Sequence, residues 1–196
     1  MDRRHEGPFD TATRVLAGDD GTTYDPVAIA LHWATALLVL IQFLLSQTWD
    51  LFGRPTHRLL VVTHMSFGIV LAVVIVARMV WRLLPGHQVP SIVAGWTELA
   101  SKGLHYLLYA LLAAEAVLGF LLRWAGGEAM SFFGVLIPSP FAPLSKAAHH
   151  QIGELHENVG WAIVILAAVH AGAALYHHYV LRDRVLLRML PARRGR

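Results

Sequence analysis

The chain has 196 residues, of which 56% are hydrophobic and only 15% charged. An average soluble domain is nearer a quarter charged, so this surface cannot all face water. The formal net charge of +3 comes from basic residues at helix ends and in the C-terminal tail, where membrane orientation explains them better than a nucleic-acid partner does. Cysteine is absent, which excludes disulfides, iron–sulfur clusters, cysteine-held zinc and thioether-attached haem. Any metal must be held by His, Met or carboxylate, and several of the 12 histidines lie inside apolar segments.

Residues 1–25 are polar and charged with no apolar central region, so no cleavable signal peptide is expected there. They read as a flexible cytoplasmic extension. The first apolar span runs from about Val27 to Thr48, after Asp25-Pro26. Proline just inside a helix start is favourable, because its missing N–H would be unpaired anyway. The second runs from about Leu59 to Leu84 and ends before Pro85-Gly86, the third from Leu99 to Trp124, stopping at Gly126-Gly127, and the fourth from Ile152 to Leu181. Each can cross ~30 Å of hydrocarbon at 1.5 Å per residue. Backbone groups in lipid must pair within the segment, so the spans are expected to be helices. The segment Ala125 to Gln151, with Phe132-Phe133 and three prolines, is expected to form a short cap on the membrane surface. No internal repeat is evident. The expected fold is an all-α integral membrane protein: residues 26–182 form a four-helix antiparallel bundle, followed by a basic cytoplasmic tail, 183–196.

Lys and Arg orient the spans. Arg3, Arg4, Arg14, Arg78, Arg82, Lys102, Arg182, Arg184, Arg188, Arg193, Arg194 and Arg196 fall on one side; Arg54, Arg58, Arg123 and Lys146 fall on the other. That excess predicts both termini in the cytoplasm of a bacterial inner-membrane protein. Trp49, Trp81, Trp96 and Trp124 lie near the expected interfaces, as aromatic belts do.

His156 and His170 are 14 residues apart on the fourth span. Fourteen residues turn a helix to within about 40° of four full turns and advance it about 21 Å, so both rings leave nearly one face at two depths. His32 lies about six residues into span one, on the inner side, and His64 about six into span two, on the outer side. Depth pairs His32 with His170 and His64 with His156, a spacing that suits two haems b stacked across the membrane. For any one of them, packing or interhelical hydrogen bonding is the plain alternative. Zinc fits poorly, since two ligands at each depth fall short of its usual three or four. Gly68, Gly119, Gly160, Ala167, Ala171 and Ala174 fit either close approach of a flat macrocycle or ordinary close helix packing.

Other polar residues carry weaker readings. Glu115 falls near the middle of span three. An interhelical hydrogen bond, with Gln42 as the candidate partner, is favoured over a proton path or a propionate contact, because the residue sits far from either expected haem edge. His105, His177 and His178 lie near inner helix ends, where histidine can donate hydrogen bonds and protons to a quinone or merely snorkel to the interface. His5, His57, His87, His149 and His150 lie in tails or loops and receive no role, although His149 and His150 could form an adventitious metal site.

The segments ALHW, VVTHMSFGIVLAVVIVARMVWRL and LHENVGWAIVILAAVHAGAALYHHYVLRDRVLLRML resemble bacterial di-haem cytochrome b561 across nearly all of residues 24–191. Within that family the likeness is greatest to the superoxide:ubiquinone oxidoreductase, or superoxide oxidase, type. The resemblance implies His32, His64, His156 and His170 as axial iron ligands, and a quinone near His177, His178 and Tyr179. Relatives often carry a basic residue and an aromatic shortly before the first ligand of the fourth span, where this chain has Gly153, Glu154 and Leu155, and the N-terminal extension is longer than usual. The expected function is electron transfer across the membrane from superoxide, or another one-electron donor, to ubiquinone. Arg54, Arg58, Arg123 and Lys146 would draw an anionic donor to the outer side, or simply contact lipid headgroups. The alternative is a cytochrome b subunit linking a hydrogenase or dehydrogenase to quinone.

Overall fold

A computed structural model describes residues 23–85 and 95–190. Its frame is four helices: α1 (Pro26–Thr48, continued by a 3-10 turn, Trp49–Leu51), α2 (Arg54–Leu83), α3 (Trp96–Ala125) and α4 (Lys146–Tyr176, continued by a π-helical turn, His177–Leu181). All four are long and apolar enough to cross a membrane. The bundle is therefore that of an integral membrane protein, and its exterior agrees. Leu37, Leu40, Val73, Val76, Val117, Ile165 and Val169 all point outward, as side chains do when hydrocarbon is the solvent.

Local chemistry sets the helix ends. The Asp25 carboxylate accepts from the backbone N–H of Val27 and Ala28, at 3.0 and 2.9 Å, and so caps α1. It also accepts from Trp81 Nε1 at 3.1 Å, which ties the start of α1 to the end of α2. Helix α2 starts at Arg54, five residues before the apolar run at Leu59, because Gly53 and Pro55 make a good helix entry. Helix α4 likewise starts six residues before Ile152, where the Ser145 hydroxyl accepts from Ala148 N–H at 3.2 Å. These first turns are polar, which is why apolarity alone places the starts too late.

Helices α1 and α2 pack as one antiparallel pair and α3 and α4 as another, with α2 and α3 joining the pairs, whereas α1 and α4 touch sparsely. Leu71 and Ile75 of α2, Leu112 of α3 and Ile163 of α4 form the buried core, with Leu38, Val39, Leu111 and Val159 against them. Ile163 lies seven residues from both His156 and His170. An apolar layer therefore separates the two histidine depths.

The outer connection between α3 and α4 differs from the expected surface cap. It holds an antiparallel hairpin, β1 (Met130–Phe132) and β2 (Val135–Ile137), turning at Phe133 and Gly134 with φ of 47° and 92°. Positive φ at both turn positions is the geometry that suits a two-residue hairpin. The hairpin is pinned from below by Ser66 of α2, the most deeply buried polar side chain among the described residues at 1% exposure. Its hydroxyl donates to Val62 O at 2.8 Å and accepts from Phe133 N–H at 2.9 Å. Replacing Ser66 with Ala removes the partner of the Phe133 N–H, a loss of about 1 kcal/mol for a part-buried hydrogen bond. Hydrogen exchange at residues 130–137 should rise in Ser66→Ala while exchange in the helices stays as in the parent.

Candidate haem sites

The four in-span histidines meet in the two pairs that depth implies. The ring centres of His32 and His170 are 6.2 Å apart with planes at 72°, and those of His64 and His156 are 6.4 Å apart at 84°. An imidazole nitrogen binds a transition metal at about 2.0 Å and lies ~1.1 Å from its ring centre, so two rings facing one metal have centres roughly 6.2 Å apart. Both pairs have that spacing. Each can fill two positions of a metal and no more, and no group of three or more His, Asp or Glu converges on a metal position among the described residues. The geometry fits an iron whose other four positions are already occupied by a porphyrin.

The outer pair opens into a cavity of about 890 Å³. That is at the upper end of ordinary small-molecule pockets, roughly 300–1,000 Å³. Its lining includes Gln42, His64, Glu115 and His156, with Arg123, Lys146 and His149. Buried polar atoms without a hydrogen-bond partner gather around it: Gln42 Oε1, His64 Nδ1, Glu115 Oε2, Arg123 Nε and His156 Nδ1. Each such atom costs about 1–3 kcal/mol in a closed core. Their concentration around one cavity marks a binding site rather than a packing defect. Trp49 stands edge-on to His64 at 5.3 Å. Gly68, Gly119 and Gly160 all line the cavity, and each also admits a side chain: a Cβ there would meet Gln42 Nε2 at 2.8 Å, His156 Cε1 at 3.4 Å and Glu115 Oε1 at 3.1 Å.

Glu115 is not where the sequence places it. Gln42 instead donates to the carbonyl oxygen of His64 at 3.0 Å. The Glu115 carboxyl lies 3.2 Å from His156 Nδ1, beside the outer pair rather than remote from it. Sequence spacing could not show this, because α3 supplies no member of either pair and its rotation is set by packing on α4.

The inner pair has a basic and aromatic border. Arg78 Nη2 donates to His32 Nδ1 at 2.9 Å, and its guanidinium lies 5.1 Å from the Tyr109 ring. Arg82 lies over Tyr106 at 5.8 Å. A guanidinium can only donate, so in this pairing the ring proton of His32 sits on Nε2. Metal binding through Nε2 therefore requires Arg78 to turn away. His105 packs 5.0 Å from His170 and bonds through Nδ1 to Ser101 O at 2.6 Å. It is thus a third histidine at this end, with Nδ1 committed to the Ser101 carbonyl.

His177 and His178 separate. His178 packs on Tyr179, ring centres 4.8 Å apart, and the Tyr179 ring is largely exposed. His177 Nδ1 contacts the Asp183 carboxylate, a partner that the spacing of the histidines does not reveal. Of the loop histidines, His57 pairs with Asp50 at 3.3 Å and His150 with Glu154 at 3.4 Å, while His149 packs against Gly126, so His149 and His150 face different partners. His5 and His87 lie outside the described residues.

A family model described as prokaryotic cytochrome b561 matches residues 23–192. The chain belongs to the prokaryotic cytochrome b561 family. It is 34% identical over 179 residues to cytochrome b561 homolog 1 of Escherichia coli, covering 87% of this chain and 98% of that protein. It is 30% identical over 182 residues to a Yersinia pestis protein named as a probable superoxide oxidase, covering 88% and 98%. It is also 31% identical over 176 residues to cytochrome b562 of Cereibacter sphaeroides, covering 87% and 96%. The family carries b-type haem and moves electrons in bacterial membranes, and this chain is a membrane electron-transfer protein of that kind.

The chain after α4 turns back at Arg182, φ 53°, and docks on the start of α1: Trp33 Nε1 donates to Met189 O at 2.7 Å, and Arg188 is buried against Tyr24. Desolvation pushes the Asp183 carboxyl up, but hydrogen bonds from His177 and the Val185 N–H outweigh it and hold the group below its usual range. A carboxyl depressed in the folded state stabilises at pH above its unfolded value, and that contribution is lost as pH falls through the folded value. Asp183→Asn should therefore raise hydrogen exchange of residues 183–190 at neutral pH. The parent should match the variant only below the carboxylate range, after correction for intrinsic exchange.

Proposed function

We propose that this cytochrome holds two haems b, one between His64 and His156 and one between His32 and His170, and passes electrons from superoxide on the outer side to ubiquinone on the inner side. The observation that carries the reading is the pair of imidazole–imidazole spacings, 6.2 and 6.4 Å, at opposite ends of one bundle. Haem supplies a one-electron iron couple at each depth. The chain supplies everything else. The four histidines fix two positions about 21 Å apart along α4. The core of Leu71, Ile75, Leu112 and Ile163 lies between them. Arg78, once it leaves His32, and Arg82 would be the cations available to carboxylates of a haem held at the inner end, beside Tyr106 and Tyr109. The excess of Arg and Lys on the inner side supports cytoplasmic termini.

Two superoxide ions give up one electron each and leave as dioxygen. One ubiquinone takes both electrons and two protons to become ubiquinol. His177, held by Asp183, and His178 beside Tyr179 are the groups that would hydrogen-bond the quinone and deliver its protons. Likeness to a relative named as a probable superoxide oxidase supports the donor. So does the charge of superoxide, which keeps it out of hydrocarbon and favours a site open to the outer surface.

The outer charges are unequal. Arg123 is paired with Glu128, and its field is largely cancelled. Arg54 and Arg58 line a second groove of about 430 Å³ with Asp50 and His57, and Lys146 lines the main cavity. Steering can raise association 10- to 1,000-fold in strongly charged clefts, but Asp50, Glu128, Glu154 and Glu157 oppose it here, so an effect of only about threefold to tenfold is expected. Stopped-flow mixing of the purified protein with superoxide should reduce the haems, and added ubiquinone should reoxidise them. Neutralising Arg54, Arg58 and Lys146 together should slow haem reduction about threefold to tenfold at low salt and flatten its salt dependence, because a Debye length of about 10 Å at 0.1 M already screens such charges. Arg123→Gln should change little. Haems that superoxide cannot reduce would instead favour a subunit that receives electrons from a dehydrogenase or hydrogenase partner.

A further inference from the structure

We infer that Glu115 is a positioning residue for the outer haem, acting through His156, and that Gly160 exists to admit its carboxyl group. The inference rests on His156 being an iron ligand. Glu115 Oε1 lies 3.2 Å from His156 Nδ1, and both side chains are about four-fifths buried. The two atoms are close without the alignment of a hydrogen bond, and His156 Nδ1 has no other protein partner. A ligand that gives Nε2 to a metal keeps its proton on Nδ1, and that N–H needs an acceptor. Glu115 is the side-chain acceptor within reach, and a small rotation of either side chain brings the two into line.

Two glycines make the approach possible. A methyl group at residue 160 would stand 3.1 Å from Glu115 Oε1, displacing the carboxyl, and one at residue 119 would stand 3.4 Å from His156 Cε1. Gly160 is one turn along α4 from His156, and Gly119 one turn along α3 from Glu115. The pair is thus packed ring and carboxyl against opposing glycines, each helix yielding space to the other's side chain. The inner pair has no equivalent: His32 meets an arginine there, and no carboxylate pairs with His170 among the described residues.

A carboxyl acceptor increases the basicity of the imidazole it holds, and a more basic ligand favours the ferric over the ferrous state. Glu115 therefore lowers the midpoint potential of the outer haem relative to what His64 and His156 alone would give. It also fixes the plane of the His156 ring.

The test is a redox titration and low-temperature EPR of the ferric protein, in the parent, His156→Ala, Glu115→Gln, Glu115→Leu and Gly160→Ala. His156→Ala identifies the outer haem as the one it removes. Both Glu115 variants should then raise the midpoint of that haem and move its low-spin g values, Leu more than Gln, with the other haem unchanged. Gly160→Ala should shift the same haem in the same direction. Where the leucine variant loses the haem, the glutamine variant, which keeps the shape and one acceptor oxygen, gives the reading. If the outer haem keeps its midpoint and its g values in Glu115→Gln and Gly160→Ala, the inference is wrong. If His156→Ala retains both haems, the ligand assignment itself fails, and the two failures are thereby distinct.

Discussion

An imidazole taken out of water must find partners for two ring nitrogens, and inside a membrane no solvent remains to supply them. That constraint organises this bundle. Four histidines stand within apolar helices, two to a level, each ring turned toward another at a spacing that one metal would bridge. Unpaired in hydrocarbon they would be costly. Contact between α1 and α4 is sparse beside that within the α1–α2 and α3–α4 pairs.

The rest of the molecule keeps the two levels apart and differently furnished. The outer level is roomy, rimmed by charge and roofed by a hairpin that Ser66 holds down. The inner level is bordered by Arg78, Arg82 and two tyrosines, and is closed beneath by the returning chain at Arg188 and Met189. Between them lies an apolar cluster of Leu71, Ile75, Leu112 and Ile163.

Much of this was legible in the residues because helix arithmetic is rigid. Fourteen residues between His156 and His170 dictate one face and two depths whatever surrounds them. The depths of His32 and His64 follow from the start of each apolar run. Glu115 was not legible, since its neighbour depends on how α3 rotates against α4, which rests on Gly119 and Gly160 rather than on any period in the chain. The hairpin was hidden for another reason. Its strands have three residues each, and Phe133-Gly134 is not the Asn-Gly pair that announces such a turn. The contact of Asp183 with His177 depends on the reversal at Arg182, a left-handed residue that its identity does not signal.

Haem content by pyridine haemochrome, measured per chain in the parent and in single alanine replacements of the four histidines, tests the two-level arrangement most directly. The account predicts two haems b in the parent and one in each variant. His32→Ala and His170→Ala should lose the same haem, identified by its potential and spectrum, and His64→Ala and His156→Ala the other. A parent with a single haem, or partners within a pair that remove different haems, would contradict it.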